Sequence, residues 1–288
     1  MFKRELDSEL INRLKSEKLF GDNLLPDIHK GIVFLAIRNN EVHFYYRGGR
    51  LFKYTNKGFF SNIKYVSVAD TSIEGDVPEK ELGKIELIRN FTNGYDRIKE
   101  NCAKYNYNSE SCRVSDLYKY SFASLKNNNK VLLLDTEISI ESQEDDYSQD
   151  RIDILLFSRE SKYLRFYEAK LFTNSQIRSK GTPEVIDQIT RYTNQIGTNK
   201  ELILEQYRKY VYITNSLLDL KMEMPESIDE KVVLYVFDYD SNQENSATLK
   251  HLKDYCLKNA IPYYFKGNTA TINSDNMWNA IVGNIVCG

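Results

Sequence analysis

Residues 150–170, DRIDILLFSRESKYLRFYEAK, constrain the fold of this chain more than any other segment. Two apolar stretches flank a short polar turn, which is the pattern of a β-hairpin. When the turn is centred between Glu160 and Ser161, both faces of the hairpin carry mostly apolar side chains. A strand pair that is apolar on both faces is buried on both sides. We therefore expect this hairpin to lie inside a larger sheet.

One end of the hairpin carries charge. The same register places Asp153 opposite Glu168, and Lys170, two residues further on, shares the face of Glu168. Two carboxylates about 5 Å apart repel each other by roughly 3 kcal/mol at an effective dielectric of 20. Lys170 supplies one compensating charge, and a divalent cation would supply the rest. This arrangement depends on register, because a one-residue slip would move Asp153 to the other face.

A third carboxylate is expected from the preceding strand, KVLLLDTEISI. Asp135 and Glu137 share one face of this strand, and its apolar residues occupy the other. We favour Glu137 as the residue that completes the acidic site, with Asp135 as the competing choice.

The remaining elements alternate between strand and helix, which predicts an α/β or α+β fold around a mixed central sheet. We place a boundary near residue 110. Residues 1–110 contain an N-terminal amphipathic helix (residues 1–20), a β-rich region (29–71) and a connecting helix (78–105). Residues 111–288 begin with a short helix (114–126) and contain the hairpin, a helix that starts near Thr182 and Pro183, and a later helix that turns into a strand near Tyr210. The acidic loop 141–150 is expected to be a solvated connection.

The β-rich region is basic and aromatic. Between residues 29 and 65 seven lysines and arginines face a single acid, Glu41, and aromatic side chains are interleaved with them. Cations can contact phosphates and aromatic rings can stack on bases, so we predict nucleic-acid contacts by Arg47, Arg50 and Lys53. The alternative is a small sheet whose aromatic rings form its core. These rings are Phe44, Tyr45, Tyr46, Phe52, Tyr54, Phe59 and Phe60.

Composition excludes several classes of protein. A net charge of −2 over 288 residues rules out a uniformly basic coat for nucleic acid. No apolar run is long enough to span a bilayer, and no signal peptide is evident, so we expect a cytoplasmic protein without a membrane partner. The four cysteines form no closely spaced pair, which argues against a disulfide framework or an iron–sulfur cluster.

The order of Glu137, Asp153 and Glu168-Ala169-Lys170 resembles the PD-(D/E)XK nuclease superfamily over roughly residues 114–200. The segment QITRY, with Gln188 and Tyr192, looks like the Gln-xxx-Tyr motif of its RecB-type branch. The chain departs from the usual pattern because no proline precedes Asp153. It also lacks the cysteine ligands of the iron–sulfur members.

The resemblance implies a restriction-endonuclease-like fold, in which a mixed central sheet is flanked by helices. It also implies Mg²⁺ or Mn²⁺ bound by Asp153 and Glu168 with help from Glu137, and a catalytic role for Lys170. Lys170 would orient or deprotonate the attacking water, or neutralise the phosphate. Gln188 and Tyr192 would place the nucleic acid, and we add the nearby Arg178 and Lys180 as further nucleic-acid contacts.

The sequence therefore predicts a metal-dependent nuclease, with DNA as the expected substrate and restriction, repair or antiviral defence as candidate roles. The alternatives are a catalytically inactive nucleic-acid-binding module with the same fold and a scaffold protein whose charges form salt bridges. The sequence does not distinguish DNA from RNA or endonuclease from exonuclease, and it leaves homodimer formation open.

Overall fold

The computed structural model of the chain describes residues 2–67, 88, 90–125, 127–140, 151–179, 181–268 and 271–283. The described residues form a mixed α/β protein, as the sequence predicts, and they contain two sheets. The acidic loop 141–150 and most of the first half of the connecting helix predicted over 78–105 lie outside the described residues. The strands are β1 (Phe34–Ile37), β2 (Val42–Tyr46), β3 (Gly49–Thr55), β4 (Gly58–Phe60), β5 (Val131–Ser139), β6 (Arg151–Ser158), β7 (Tyr163–Leu171), β8 (Ser227–Ile228), β9 (Val233–Phe237) and β10 (Tyr263–Lys266).

The helices surround these sheets in chain order. The α-helices are α1 (Ser8–Ser16), α2 (Leu25–His29), α3 (Ile63–Val66), α4 (Tyr95–Asn106), α5 (Glu110–Val114), α6 (Glu184–Thr198), α7 (Lys200–Leu218), α8 (Ser241–Glu244), α9 (Ala247–Lys258) and α10 (Ser274–Asn279). A π-helical turn (Phe20–Leu24) precedes α2, and 3-10 turns follow α5 (Ser115–Tyr120) and β7 (Ser175–Ile177). Within the described part of the chain, no helix has the length and apolarity that a bilayer crossing requires.

The larger sheet has the hairpin at its centre. Its strand order is β10-β9-β7-β6-β5, and β8 also pairs with β7. β6 pairs antiparallel with both β5 and β7. β8 and β9 pair with β7 in parallel, and β10 pairs with β9 in parallel. The observed pairs from Ile154↔Tyr167 to Ser158↔Tyr163 are symmetric about the bond between Glu160 and Ser161. The predicted hairpin register is therefore confirmed.

The smaller sheet is an antiparallel meander of β1 to β4. Its second hairpin turns at Arg47 and Gly48, both with positive φ. Phe44, Phe52 and Tyr54 are buried in this sheet. They join a hydrophobic cluster that also contains residues of the larger sheet. Most of the aromatic rings in this region are therefore core side chains, which is the alternative that the sequence left open.

Three helix predictions need correction. The N-terminal helix spans Ser8–Ser16 and not residues 1–20. The segment before it is irregular, and its Phe2, Arg4 and Leu6 side chains are buried. The helix predicted over 114–126 consists of the end of α5 and a 3-10 turn that stops at Tyr120. α7 runs unbroken to Leu218, so no strand forms near Tyr210. The boundary expected near residue 110 stays a prediction.

Asp135 on β5 is fully buried and joins distant parts of the chain. Its carboxylate accepts hydrogen bonds from Arg4 Nη2 at 3.0 Å, Arg38 Nη1 at 2.9 Å and Tyr207 Oη at 3.0 Å. Burial alone would lower the pKa of Arg38, but Asp135 reverses this effect and raises it. The group thus connects the N-terminal segment, the end of β1, β5 and α7 through a compensated buried charge.

We expect Asp135→Asn to destabilise the fold by about 3 kcal/mol or more, because it leaves two buried guanidinium groups without their counter-charge. Urea denaturation followed by circular dichroism measures this difference. Tyr207→Phe is the matched control, because it removes a single hydrogen bond to the same carboxylate and should cost about 1 kcal/mol. Equal losses in the two variants would contradict the proposed role of Asp135.

Candidate active site

Three carboxylates lie in a row at the open end of the hairpin. The β6–β7 pairing ends at Ile154↔Tyr167, so Asp153 and Glu168 are the next opposed residues. The β5–β6 pairs Thr136↔Ile154 and Ile138↔Ile152 place Glu137 opposite Asp153 from the other side. The structure therefore brings Glu137, Asp153 and Glu168 together as predicted, with Asp153 in the middle.

The backbone departs from regular strand geometry at this end. Asp153 Oδ2 accepts a hydrogen bond from the backbone N–H of Ala169 at 2.8 Å, so its side chain takes the place of the next ladder bond. Glu137 has a φ of +54°, in the left-handed region that is unfavourable for a residue with a Cβ. Such strain costs on the order of 1–3 kcal/mol and is concentrated at functional sites.

Lys170 lies on the same side as the carboxylates. Its Nζ is 2.7 Å from Glu168 Oε1, and the two side chains are 8% and 1% exposed. Burial would lower the pKa of Lys170, but Glu168, Asp153 and Glu110 together raise it above its ordinary value. Lys170 is therefore an ammonium group at neutral pH. This favours charge neutralisation over proton abstraction among the roles that the sequence suggests.

Asp153 carries the electrostatic cost of this arrangement. Its pKa is raised well above the ordinary value, first by burial and then by the negative charges of Glu168 and Glu137. Lys170 and the Ala169 N–H oppose this shift and do not cancel it. With all of its acids ionised, the site would thus hold more negative charge than its own residues neutralise.

Glu137, rather than Asp135, is the third carboxylate of the site. The Asp135 oxygens are already engaged by two arginines and a tyrosine, as described above. Glu137 instead raises the pKa of Asp153 and forms an ion pair of 3.5 Å with the exposed Arg151.

Glu110 is a fourth carboxylate that sequence reasoning missed. It is the first residue of α5, and its Oε2 accepts a hydrogen bond from Asn174 Nδ2 at 2.7 Å. Burial raises the pKa of Glu110, Lys170 lowers it, and Glu137 adds a further upward contribution. Ser109, whose side chain caps α5, marks the start of a helix in the sequence. No local sequence pattern shows that Glu110 lies close to the hairpin.

The donor set fits the charge of a divalent cation. Lys170 faces Glu168, Asp153 and Glu110, and Glu137 pairs with the exposed Arg151, so the acids outnumber the bases. Carboxylate oxygens are the ligands that Mg²⁺ prefers. Among the described residues, no three acidic, histidine or cysteine side chains are gathered closely enough to hold an ion by themselves. Mg²⁺ typically takes one or two carboxylates together with waters and phosphate oxygens, so Asp153 and Glu168 would provide a sufficient protein share.

Gln188 and Tyr192 lie one turn apart on α6. Gln188 Nε2 donates to Tyr192 Oη at 2.9 Å, and Tyr192 is only 1% exposed. Tyr192 extends the buried stripe of Val185, Ile189 and Ile196, so it serves the core. The predicted contact of this pair with nucleic acid stays a prediction.

The basic residues of the small sheet differ in their surroundings. Arg50 and Lys53 line a cleft of about 320 Å³ that also contains Glu137 and Arg151, so the cleft borders the acidic site. Arg47 is outside the cleft lining and lies 3.7 Å from Asp116. The exposed Arg178 packs its guanidinium 4.7 Å from the Phe172 ring centroid. Lys180 lies outside the described residues.

We expect Asp153→Asn to stabilise the metal-free protein at neutral pH by about 1–3 kcal/mol, because the substitution removes a carboxylate from a repulsive cluster. A raised folded-state pKa means that ionising Asp153 costs more in the folded than in the unfolded protein. Below about pH 4 the group is protonated in both states, so this cost is absent and the parent protein keeps its full stability. This part of the folding stability is lost as the pH rises through the folded-state pKa of Asp153. The stability gap between variant and parent should therefore open from pH 4 toward pH 8.

Thermal melts in EDTA across this pH range measure the gap. Asp229→Asn is a control that removes a carboxylate just after β8, paired with Arg165 of β7 at 3.0 Å, and it should destabilise. A parent protein that gains stability relative to Asp153→Asn with rising pH would contradict the electrostatic description of the site.

Comparisons of the chain with protein-family models, curated proteins and solved structures found no significant match. The resemblance to the PD-(D/E)XK superfamily therefore depends on the residues described above and on their placement. It supports a proposal about function and does not assign the chain to a family.

Proposed function

We propose that this protein is a divalent-metal-dependent nuclease that hydrolyses phosphodiester bonds of DNA on a restriction-endonuclease-like fold. The observation that carries the proposal is the position of Asp153 between Glu137 and Glu168, with Lys170 paired to Glu168 at 2.7 Å. A buried hairpin that ends in uncompensated carboxylates supports a site for a divalent cation, because carboxylate oxygens are its preferred ligands. The bound cation and the Lys170 ammonium would together attract a phosphate.

Asp153 and Glu168 would hold Mg²⁺ or Mn²⁺, with Glu137 and Glu110 completing the acidic surroundings. When bound, such an ion lowers the pKa of a coordinated water and stabilises charge on phosphoryl oxygens. The Ala169 N–H fixes one oxygen of Asp153, which orients the carboxylate before a ligand arrives. This orientation limits the reorganisation that binding would need.

Lys170 would stabilise negative charge on the phosphate during the reaction. Its raised pKa keeps a proton on Nζ at neutral pH, so it acts as a donor and a cation rather than as a base. Its burial among apolar strands strengthens this interaction, because water screens it less.

The cleft beside Glu137 would receive the nucleic acid. Arg50, Lys53 and Arg151 line it and outnumber its single acid, Glu137. Cations at this position would attract phosphates toward the carboxylates, which by themselves repel them.

A catalytically inactive nucleic-acid-binding module is the second candidate. The Glu168–Lys170 ion pair favours it, because this pair satisfies an oxygen that a metal ion would otherwise take. Such a module would bind nucleic acid through the same cleft without cutting it.

We expect the parent protein to nick supercoiled plasmid in Mg²⁺ or Mn²⁺, and Asp153→Asn and Lys170→Ala to cut at least about 100-fold more slowly. Asp153→Asn should also lose the rise in melting temperature that metal gives the parent, because a ligand of the native state stabilises it by mass action. Lys170→Ala should keep part of this rise. Gel electrophoresis and thermal melts measure the two effects.

Lys162→Ala is the matched control, because Lys162 lies at the turn end of the same hairpin and pairs with the exposed Glu226. It should cut and bind metal as the parent does. Unchanged cleavage by Asp153→Asn and Lys170→Ala would refute the catalytic assignment. A parent that binds DNA without cutting it would favour the inactive module.

A further inference from the structure

The cleft beside the carboxylates has a mixed lining that the hydrolytic site alone does not explain. The β2–β3 hairpin and the loop after β4 form one side, and Glu137 and Arg151 form the other. Its volume of about 320 Å³ is at the lower end of the range for pockets that take a small ligand, roughly 300–1,000 Å³. A pocket of this size can enclose one nucleotide unit but not a base pair.

Phe60 is the unusual residue of this cleft. It is 44% exposed, whereas Phe44 and Phe52 of the same sheet are completely buried. An exposed phenyl ring loses the stabilisation that burial would give it. The Nζ of Lys53 lies 5.7 Å from the ring centroid, so a cation flanks the exposed ring.

The charge of the cleft favours an anion. Lys53 is paired with Glu41 at 3.2 Å, and Arg151 is paired with Glu137 at 3.5 Å. Arg50 is exposed and forms no ion pair with another described residue. An exposed guanidinium without an ion-pair partner can bind a phosphate through two parallel hydrogen bonds.

We propose that this cleft binds an unpaired nucleotide of a single-stranded nucleic acid, with the base stacked on Phe60 and the phosphate on Arg50. The proposal rests on the function proposed above and deepens it. Glu137 belongs both to the cleft lining and to the carboxylate cluster, so a nucleic-acid strand bound in the cleft would lie next to the carboxylates. A ring that stacks on bases and a cation that contacts the backbone are the two components of single-strand binding. A paired double strand offers its phosphates to Arg50 but keeps its base faces covered, so it would leave Phe60 without a partner.

Fluorescence anisotropy with the full chain in EDTA tests the proposal. The probes are a labelled short oligonucleotide and the duplex of the same sequence. We expect the single strand to bind more tightly than the duplex. Phe60→Ala should weaken single-strand binding by roughly 5- to 100-fold with little change for the duplex. Phe60→Trp should preserve it. Arg50→Ala should weaken both and reduce the salt slope by about one.

Two exposed residues outside the cleft lining provide matched controls. Tyr212→Ala removes an aromatic ring that is 69% exposed on α7, and Arg159→Ala removes a cation at the turn end of the hairpin. Neither should alter affinity. Melting temperatures of all variants confirm that they are folded.

Equal affinity for the single strand and the duplex, or a Phe60→Ala variant that binds as the parent does, would overturn the proposal. The outcome is separable from that of the nuclease proposal. A parent that cuts DNA while Phe60→Ala binds normally leaves the nuclease and removes the nucleotide cleft. A parent that cuts nothing, together with a Phe60→Ala variant that loses single-strand binding, supports the nucleotide cleft and refutes the nuclease.

Discussion

The buried carboxylate of Asp135 is the interaction on which the rest of the structure depends. It holds Arg4 and Arg38, which are 131 and 97 residues away in sequence, and it receives the hydroxyl of Tyr207. None of these groups could be buried alone without a large desolvation cost. The group therefore fixes the position of β5 against the small sheet and α7. Because Glu137 is two residues further along β5, the same contacts also position one wall of the candidate active site.

The candidate active site uses the opposite electrostatic principle. At Asp135 the positive charges satisfy the carboxylate, whereas at Asp153 the surrounding charges remain mostly negative. A compensated buried charge stabilises a unique arrangement of elements, and an uncompensated one provides affinity for a ligand. The two residues lie on neighbouring strands of the same sheet, so sequence position alone does not separate a structural acid from a functional one.

The sequence predicted best what depends on local periodicity. The hairpin register followed from apolar side chains on both faces, and it located Asp153, Glu168 and Lys170 together. The choice between Asp135 and Glu137 required knowledge of Arg4 and Arg38, which no local pattern supplies. Glu110 was missed for the same reason. Near Tyr210 the sequence suits either a strand or a helix, and packing decides, since Tyr210 Oη donates to the carbonyl of Leu35. The aromatic residues of the small sheet were evident in the sequence, but only the fold distinguishes the exposed Phe60 from its buried neighbours.

The left-handed backbone at Glu137 has a consequence for how this chain can change. Glycine or asparagine at this position would fit the backbone better and would also remove one charge from the cluster. Both effects favour folding, so the residue that best suits the proposed chemistry is among the worst for stability. A search for stabilised variants of this protein would therefore select substitutions at Glu137 early. Thermostability gained in that way would come at the expense of the site, which is the trade-off between stability and activity expected where strain and charge are concentrated.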